Sequence, residues 1–357
     1  MGTHTVLDTC SPDDHGNGNV SCICILIRTN MTLNTLAKLS GVSVATVSKA
    51  FSGSNEISEE TRARIFDISR EHDCFDKYNK NKFDKKVIAV ICPELKSDYY
   101  NTFASILEKE ITAQGGIMTV SVSSFSTEHQ QELIAYYSAY CRVDGIILVD
   151  PQIPISNDFM IPAVAIGKKS DISSNICYVS LPLSNAIDQA VQYLYELGHR
   201  RIGFAGEELT TSKLTLFEES MAKLHIPLDC SLIYKSHERF ERAGICAADY
   251  FCGMEEMPTA ILAAYDHIAI GMIKEFTERG IRVPDDVSVI GMDDIAIAPY
   301  LTTSLSSISS HTDKACHTAV DMIMKKILNQ NYTPQSNIVI SSEFIPRGSS
   351  DIPRSKK

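Results

Sequence analysis

The sequence has no tryptophan, no CxxC pair among its eleven cysteines, and no apolar run approaching the roughly 20 residues that cross a bilayer. Scattered, odd-numbered cysteines cannot form a full disulfide framework, and ten histidines without ligand spacing make no zinc site, so neither a metal nor a cofactor is expected. The thiols read as those of a reduced, cytoplasmic protein with no membrane partner. Also missing are a P-loop, a G-x-G-x-x-G turn after the first strand and a G-x-S-x-G elbow, which argues against an enzyme.

What remains is a chain of 357 residues, too long for one core, with a net charge of −11 that is unevenly spread. Residues 31–86 hold ten Lys/Arg against eight Asp/Glu, whereas residues 87–357 hold 22 against 33. A mildly basic head thus precedes an acidic body, and a phosphate-reading surface needs only local cations. Residues 1–30 are polar up to a short apolar run at 21–27, with no charged n-region or clear cleavage site. They are expected to be a disordered tail or an over-extended gene start.

From Met31 the pattern is helical. Thr32 can cap a helix carrying Leu33, Leu36, Ala37 and Leu39, which stops at Ser40-Gly41. Ser43 can cap a second helix through Ala50, and Ser58 a third with Glu59 and Glu60 in its first turn and Ile65, Phe66 and Ile68 inward. Leu36, Val42, Val47 and Ile65 are the expected mini-core of this helix-turn-helix unit. Small and hydroxyl side chains on the second helix (Ser43, Ala45, Thr46, Ser48) permit close approach to a major groove, and Lys49 can reach a guanine edge or a phosphate. A helical hairpin without a nucleic-acid partner would share the same helix pattern.

The stretch MTLNTLAKLSGVSVATVSKAFSGSNEISEETRARI resembles the head of the LacI/GalR repressor family, whose motif runs TLxDVAxxAGVSxATVSRxLNG and then VSEETRxRV. The resemblance implies base reading by Val44, Ala45 and Lys49, backbone contacts from Thr32, Ser43, Ser48 and Thr61, and packing of the recognition helix by Thr46 and Val47. Lys49 stands where Arg is usual and Ser52 where Asn is usual; lysine lacks the planar fork of arginine, so discrimination there should be looser. Between the head (31–75) and the body, residues 76–86 form a polar, basic linker. The family places a minor-groove hinge helix here, but the linker lacks its YxPNxxAxxL pattern, so Phe83 as an apolar wedge and a solvated tether both stand.

Residues 87–348 alternate short β-branched runs with helical stretches: strands at 87–92, 117–123, 145–149 and 163–167, then, after a helix ending at Gly198, a second series at 201–206, 232–234, 260–264 and 287–291. This rhythm predicts two doubly wound parallel sheets, hence two lobes with a ligand cleft outside the strands' carboxyl ends. RVDGIILV, LGHRRIGFAG, PTAILAAYD and GIRVPDDVSVIGMDD resemble the periplasmic-binding-protein-like sensor domain of the same family. The fold class is therefore a small all-α helix-turn-helix head plus an α/β two-lobed body, followed by a tail at 349–357. The resemblance implies several crossings between lobes, return of the last strand to the first lobe, and a homodimer whose two heads meet a pseudo-palindromic operator.

Candidate effector-binding residues are those at strand ends: Tyr99, Tyr100, Asp150, Lys168, Asp266 and Asp293. Asp266 and Asp293 match effector positions of the family, although Asp266, directly before a helix, can instead order that turn. Thr215 and Leu181 fall where sugar- and purine-binding members carry an Arg and an Asp, which leaves a sugar or derivative, a less polar molecule or a phosphorylated ligand near Lys168 open. The expected function is an effector-modulated, sequence-specific DNA-binding repressor. The alternative is a ligand sensor with a degenerate head acting through a protein partner.

Overall fold

The computed structural model describes residues 31–353 except 53, 55, 73, 79–84, 142, 153–160, 169–175, 330–331 and 333–336. Residues 1–30 and Phe83 therefore lie outside the described residues. The chain divides into two compact units, residues 1–83 and 84–357.

The first unit contains α1 (Leu33–Ser40), α2 (Val44–Phe51), α3 (Glu59–Glu71) and α4 (Phe75–Tyr78). Thr32, Ser43 and Ser58 each accept a hydrogen bond from the backbone N–H three residues on, satisfying donors that a helix start leaves orphaned. Gly41 closes α1 at φ 67°, a left-handed conformation that side-chain-bearing residues resist. Leu36, Val47, Ala50 and Ile65 are sealed from solvent. Two differences from the expected mini-core stand out. Val42 is only half-buried, and Phe51 takes the centre, with its ring within 6.0 Å of those of Phe66, Phe75 and Tyr78. Packing therefore reaches past residue 75, because Tyr78 also donates to the carbonyl of Met31.

The second unit opens with β1 (Val87–Cys92), α5 (Asp98–Ala113), β2 (Ile117–Val122), α6 (Thr127–Ala135), β3 (Gly145–Val149), β4 (Ala163–Gly167) and β5 (Cys177–Ser180). It continues with α7 (Ser184–Leu197), β6 (Ile202–Glu207), α8 (Thr211–Lys223), β7 (Ile233–Ser236), α9 (Phe240–Cys252), β8 (Ala260–Ala263), α10 (Asp266–Glu278) and β9 (Ser288–Ile290). It closes with β10 (Ser307–Ser309), α11 (Thr312–Leu328), β11 (Asn337–Val339) and β12 (Glu343–Ile345). One parallel sheet runs β11-β5-β4-β3-β1-β2, and a second runs β7-β6-β8-β9. Central strands such as β1 and β3 are almost wholly buried, as parallel strands covered on both faces must be.

Each sheet makes its own lobe. The chain passes from the first to the second before α7, returns after β10 so that α11 packs on α5 and β11 joins β5, then leaves again to pair β12 with β10. Residues 349–353 of the segment expected as a tail are part of the second lobe instead: the N–H of Val289 donates to the carbonyl of Ser349 at 2.8 Å, and the Ser288 hydroxyl to that of Asp351 at 3.0 Å. Those bonds supply partners to the outer edge of β9, which explains why Ser349 is buried. Among the described residues no helix is long and apolar enough to cross a membrane.

Candidate DNA-reading face and ligand cleft

In the head, the burial of Val47, Ala50 and Phe51 fixes which way α2 faces. Val44, Ala45, Ser48 and Lys49 consequently lie exposed on its other side, beside Ser43. Thr46 is half-buried and its hydroxyl meets that of Ser43 at 2.8 Å, which braces the cap. Thr61 is half-buried at the start of α3, where its hydroxyl accepts from Ser58 at 2.9 Å, and Thr32 is exposed at the start of α1. Three helix starts and one exposed candidate reading face are thus gathered in a single small unit. One feature was not foreseen, an ion pair between the Lys49 ammonium and Glu56 in the α2–α3 connection.

In the body, the strand ends of both lobes meet. Glu94, after β1 in the first lobe, receives both Nη atoms of Arg239, which precedes α9 in the second, at 2.9 and 2.8 Å. The same guanidinium lies 3.5 Å from Glu207, a buried residue at the end of β6, and stands 5.5 and 4.7 Å from the ring centres of Phe125 and Phe240. Those two carboxylates hold the Arg239 cation more firmly protonated than usual. A second link joins the lobes at His267, whose ring nitrogens lie 3.1 Å from Asp98 of the first lobe and 2.6 Å from Glu241 of the second.

Of the expected effector residues, four face this region. Tyr100 donates to Asp150 at 2.7 Å, and the Tyr99 ring stacks edge-on against Tyr100. Burial, reinforced by the charge of Asp150, pushes both phenols well above their ordinary range, so they remain donors. Asp293 pairs with Lys213 of α8 at 3.4 Å, and burial raises its carboxyl while Lys213 opposes that rise. The other two are placed differently. Lys168 is exposed with no partner among the described contacts. Asp266 is wholly buried, accepting from the N–H of Ile295 at 2.8 Å and the hydroxyl of Ser307 at 2.6 Å, so it orders the loop after β9 rather than meeting a ligand. Burial, and then the charge of Asp293, raise its carboxyl well above the usual range.

Sequence reasoning missed Glu94, Glu207, Lys213, Arg239 and Tyr265. The strand-end rule that selected Asp150 would have found Glu207 and Arg239 had it been applied to β6 and β7. Lys213 carries the α8 cation that Thr215 lacks, for Thr215 is exposed and bonded to its own helix. Burial pushes the Tyr265 phenol up to about 12, and its oxygen accepts from the N–H of Phe240 at 3.0 Å, which leaves its proton for another acceptor. Backbone strain marks the same place: of the non-glycine residues with positive φ, Ser124, Phe125, Asp150, Phe240, Asp293 and Asp294 all follow strand ends at the cleft. Such conformations cost about 1–3 kcal/mol each and persist where the surroundings enforce them.

A helix-turn-helix unit ahead of two doubly wound lobes defines a class: DNA-binding regulators that respond to a small molecule. Residues 32–74 match the family model described as bacterial regulatory proteins, lacI family, and residues 191–350 match that of the periplasmic binding protein-like domain. The HTH-type transcriptional repressor CytR of Escherichia coli is 26% identical over 334 residues, 90% of this chain and 97% of that protein. The repressor PurR of Escherichia coli is 27% identical over 341 residues, 89% of this chain and 96% of that protein. A crystal structure of a LacI family protein from Silicibacter pomeroyi superimposes with a TM-score of 0.68 at 20% identity, covering 90% of this chain and 99% of that one. The chain belongs to the lacI family and is a DNA-binding transcription regulator with a ligand-binding body.

Proposed function

We propose that the protein is a cytoplasmic homodimeric repressor whose two heads bind a pseudo-palindromic operator and whose effector sits between the lobes, against Tyr99, Asp150, Tyr265 and Asp293. Val44, Ala45 and Lys49 read bases, while Thr32, Ser43, Ser48 and Thr61 meet the backbone. The observation that carries the reading is the meeting of both lobes' strand ends across Arg239 and Glu94, since a ligand contacting both sides biases their relative angle.

The charges narrow the effector. Glu94, Asp150, Glu207 and Asp293 outnumber Lys213 and Arg239, and both cations are already paired with carboxylates. A phosphate or carboxylate ligand would meet this surplus of negative charge, whereas a neutral or cationic molecule rich in donors, with a flat apolar face, meets acceptors and aromatic rings. The test is selection of genomic fragments by the purified protein near physiological salt, followed by calorimetric screening of polyols, nucleosides and amines. Recovery of a shared palindrome released or tightened by such a compound supports the proposal. Fragments with no common site, or an effector that is a phosphate ester, overturn it.

A further inference from the structure

We propose that Glu56 is a specificity-determining residue of the head: it holds the Lys49 ammonium for a base edge and bars that ammonium from serving as an indiscriminate phosphate anchor. The proposal rests on the reading of Lys49 as a base reader and adds a partner to it. Glu56 lies outside the recognition helix, in the connection to α3, yet its carboxylate meets the Lys49 Nζ on the reading face. The connection is anchored on both sides. Arg62 of α3 donates to the carbonyl of Ser54 at 2.7 Å, the N–H of Ser54 donates to the carbonyl of Lys49 at 3.1 Å, and the N–H of Glu56 donates to the Ser54 hydroxyl at 3.4 Å. The carboxylate is thus attached to a braced turn rather than to a loose loop, and the Lys49 cation holds its pKa below the usual carboxylate value.

Three physical consequences follow from that position. A lysine has a flexible stem and no planar fork, so by itself it discriminates poorly between a guanine edge and a phosphate oxygen. A fixed carboxylate beside the ammonium removes part of this freedom. It also sets a negative charge next to the DNA face, where it opposes close approach of phosphates but can accept from the amino group of a cytosine. Glu56 therefore costs general affinity and returns base preference, a trade made by repulsion as much as by attraction.

The experiment uses the full-length protein with E56Q, E56D, K49A and the K49A/E56Q double variant. Each is measured on a duplex selected by the wild type from a randomised library and on the unselected random pool, across a salt series. Gln is isosteric and the site is exposed, so unchanged melting confirms folding. For E56Q the affinity for the random pool should rise, the slope of log K against log salt on that pool should steepen by about 0.9, and the selected-to-random ratio should fall about tenfold. A library reselected with E56Q should lose its preference at one position per half-site only. E56D should keep part of the ratio, and E56Q should not change the ratio in the K49A background. Equal gains on both DNAs, or no change on either, overturn the role of Glu56. If K49A alone leaves the selected-to-random ratio untouched, it is the base-reading assignment of Lys49 that has failed.

Discussion

The head and the body each pair one key cation with a carboxylate, in opposite settings. The side chains of Lys49 and Glu56 are 48% and 69% exposed, and the contact is one ammonium on one carboxylate. The side chains of Arg239 and Glu94 are 31% and 14% exposed, the contact is a two-pronged fork, and a nearly buried second carboxylate stands behind it. An exposed single-point pair adds little to stability and leaves the ammonium able to share a further partner, which suits a group proposed to meet a base while its carboxylate still holds it. A forked, half-buried pair leaves charges stranded when broken, which suits a link between lobes. The molecule carries a loosely held charge on its candidate reading helix and a committed charge between its lobes.

The largest effect should come from the scaffold that presents the committed pair. Arg239 and Glu241 sit at the start of α9 and His267 at the start of α10, and these helices touch backbone to backbone. A Cβ added at Gly271 would lie 2.1 Å from the Glu241 carbonyl oxygen, and one at Gly244 would lie 2.0 Å from that of Ile268. Gly271→Ala should destabilise the body by about 3 kcal/mol, because neither neighbour is a side chain that can rotate away. Calorimetric melting should show the body transition lowered and that of the head unchanged; a shift in both would mean that the two units do not melt separately.

Asp266 comes next. Asp266→Ala strips a buried acceptor from Ile295 and Ser307 and should cost about 2–3 kcal/mol, while Asp266→Asn keeps an acceptor and should cost less. The pH dependence has a definite sign. The folded carboxyl is raised above its unfolded value, so its contribution is fully present below the ordinary carboxylate range and is lost as pH rises through the folded value. Asn should therefore flatten the stability profile over that window. An unchanged profile in the Asn variant would show that Asp266 is ionised in the fold.

The contrast between the two regions also governs what could be read from the sequence. The head's determinants are local: Thr32, Ser43 and Ser58 each act three residues away, and Gly41 ends the helix that it follows. Their chemistry is visible in any window of ten residues. Even so, the aromatic centre at Phe51 was not legible, since its partners Phe75 and Tyr78 come from the last residue of the expected head and from the apparent linker. In the body, the strand–helix rhythm announced the two sheets, but β5, α11 and β11 were not individually foreseen. The cleft pairs join residues 145 and 169 positions apart, and no periodicity signals such a pairing. Asp266 and Asp293 look alike as strand-end carboxylates, and only burial separates the loop-ordering residue from the one that faces the cleft.

Arg239→Met tests the committed link itself. It should cost about 2 kcal/mol in body stability, since Glu207 loses its cation in a nearly buried site, and the lobes should separate measurably by small-angle scattering. The charge swap R239E/E94R should recover part of the compactness. If Arg239→Met scatters like the wild type, the lobes are held by packing and the pair is incidental.

The smallest expected effect is that of the exchangeable cation. Lys49→Ala should weaken binding to the selected operator by about 1 kcal/mol, the low end for a base contact because lysine lacks the fork of arginine, with less loss on random DNA. Body melting should not move, because the side chain packs in no core. Lys49→Arg supplies the missing fork and should raise discrimination at the same operator position, provided Glu56 can accept the guanidinium as it accepts the ammonium. Equal losses on operator and random DNA for Lys49→Ala would make the residue a phosphate anchor, and the head's charge would then be committed after all, to the DNA backbone instead of to a base.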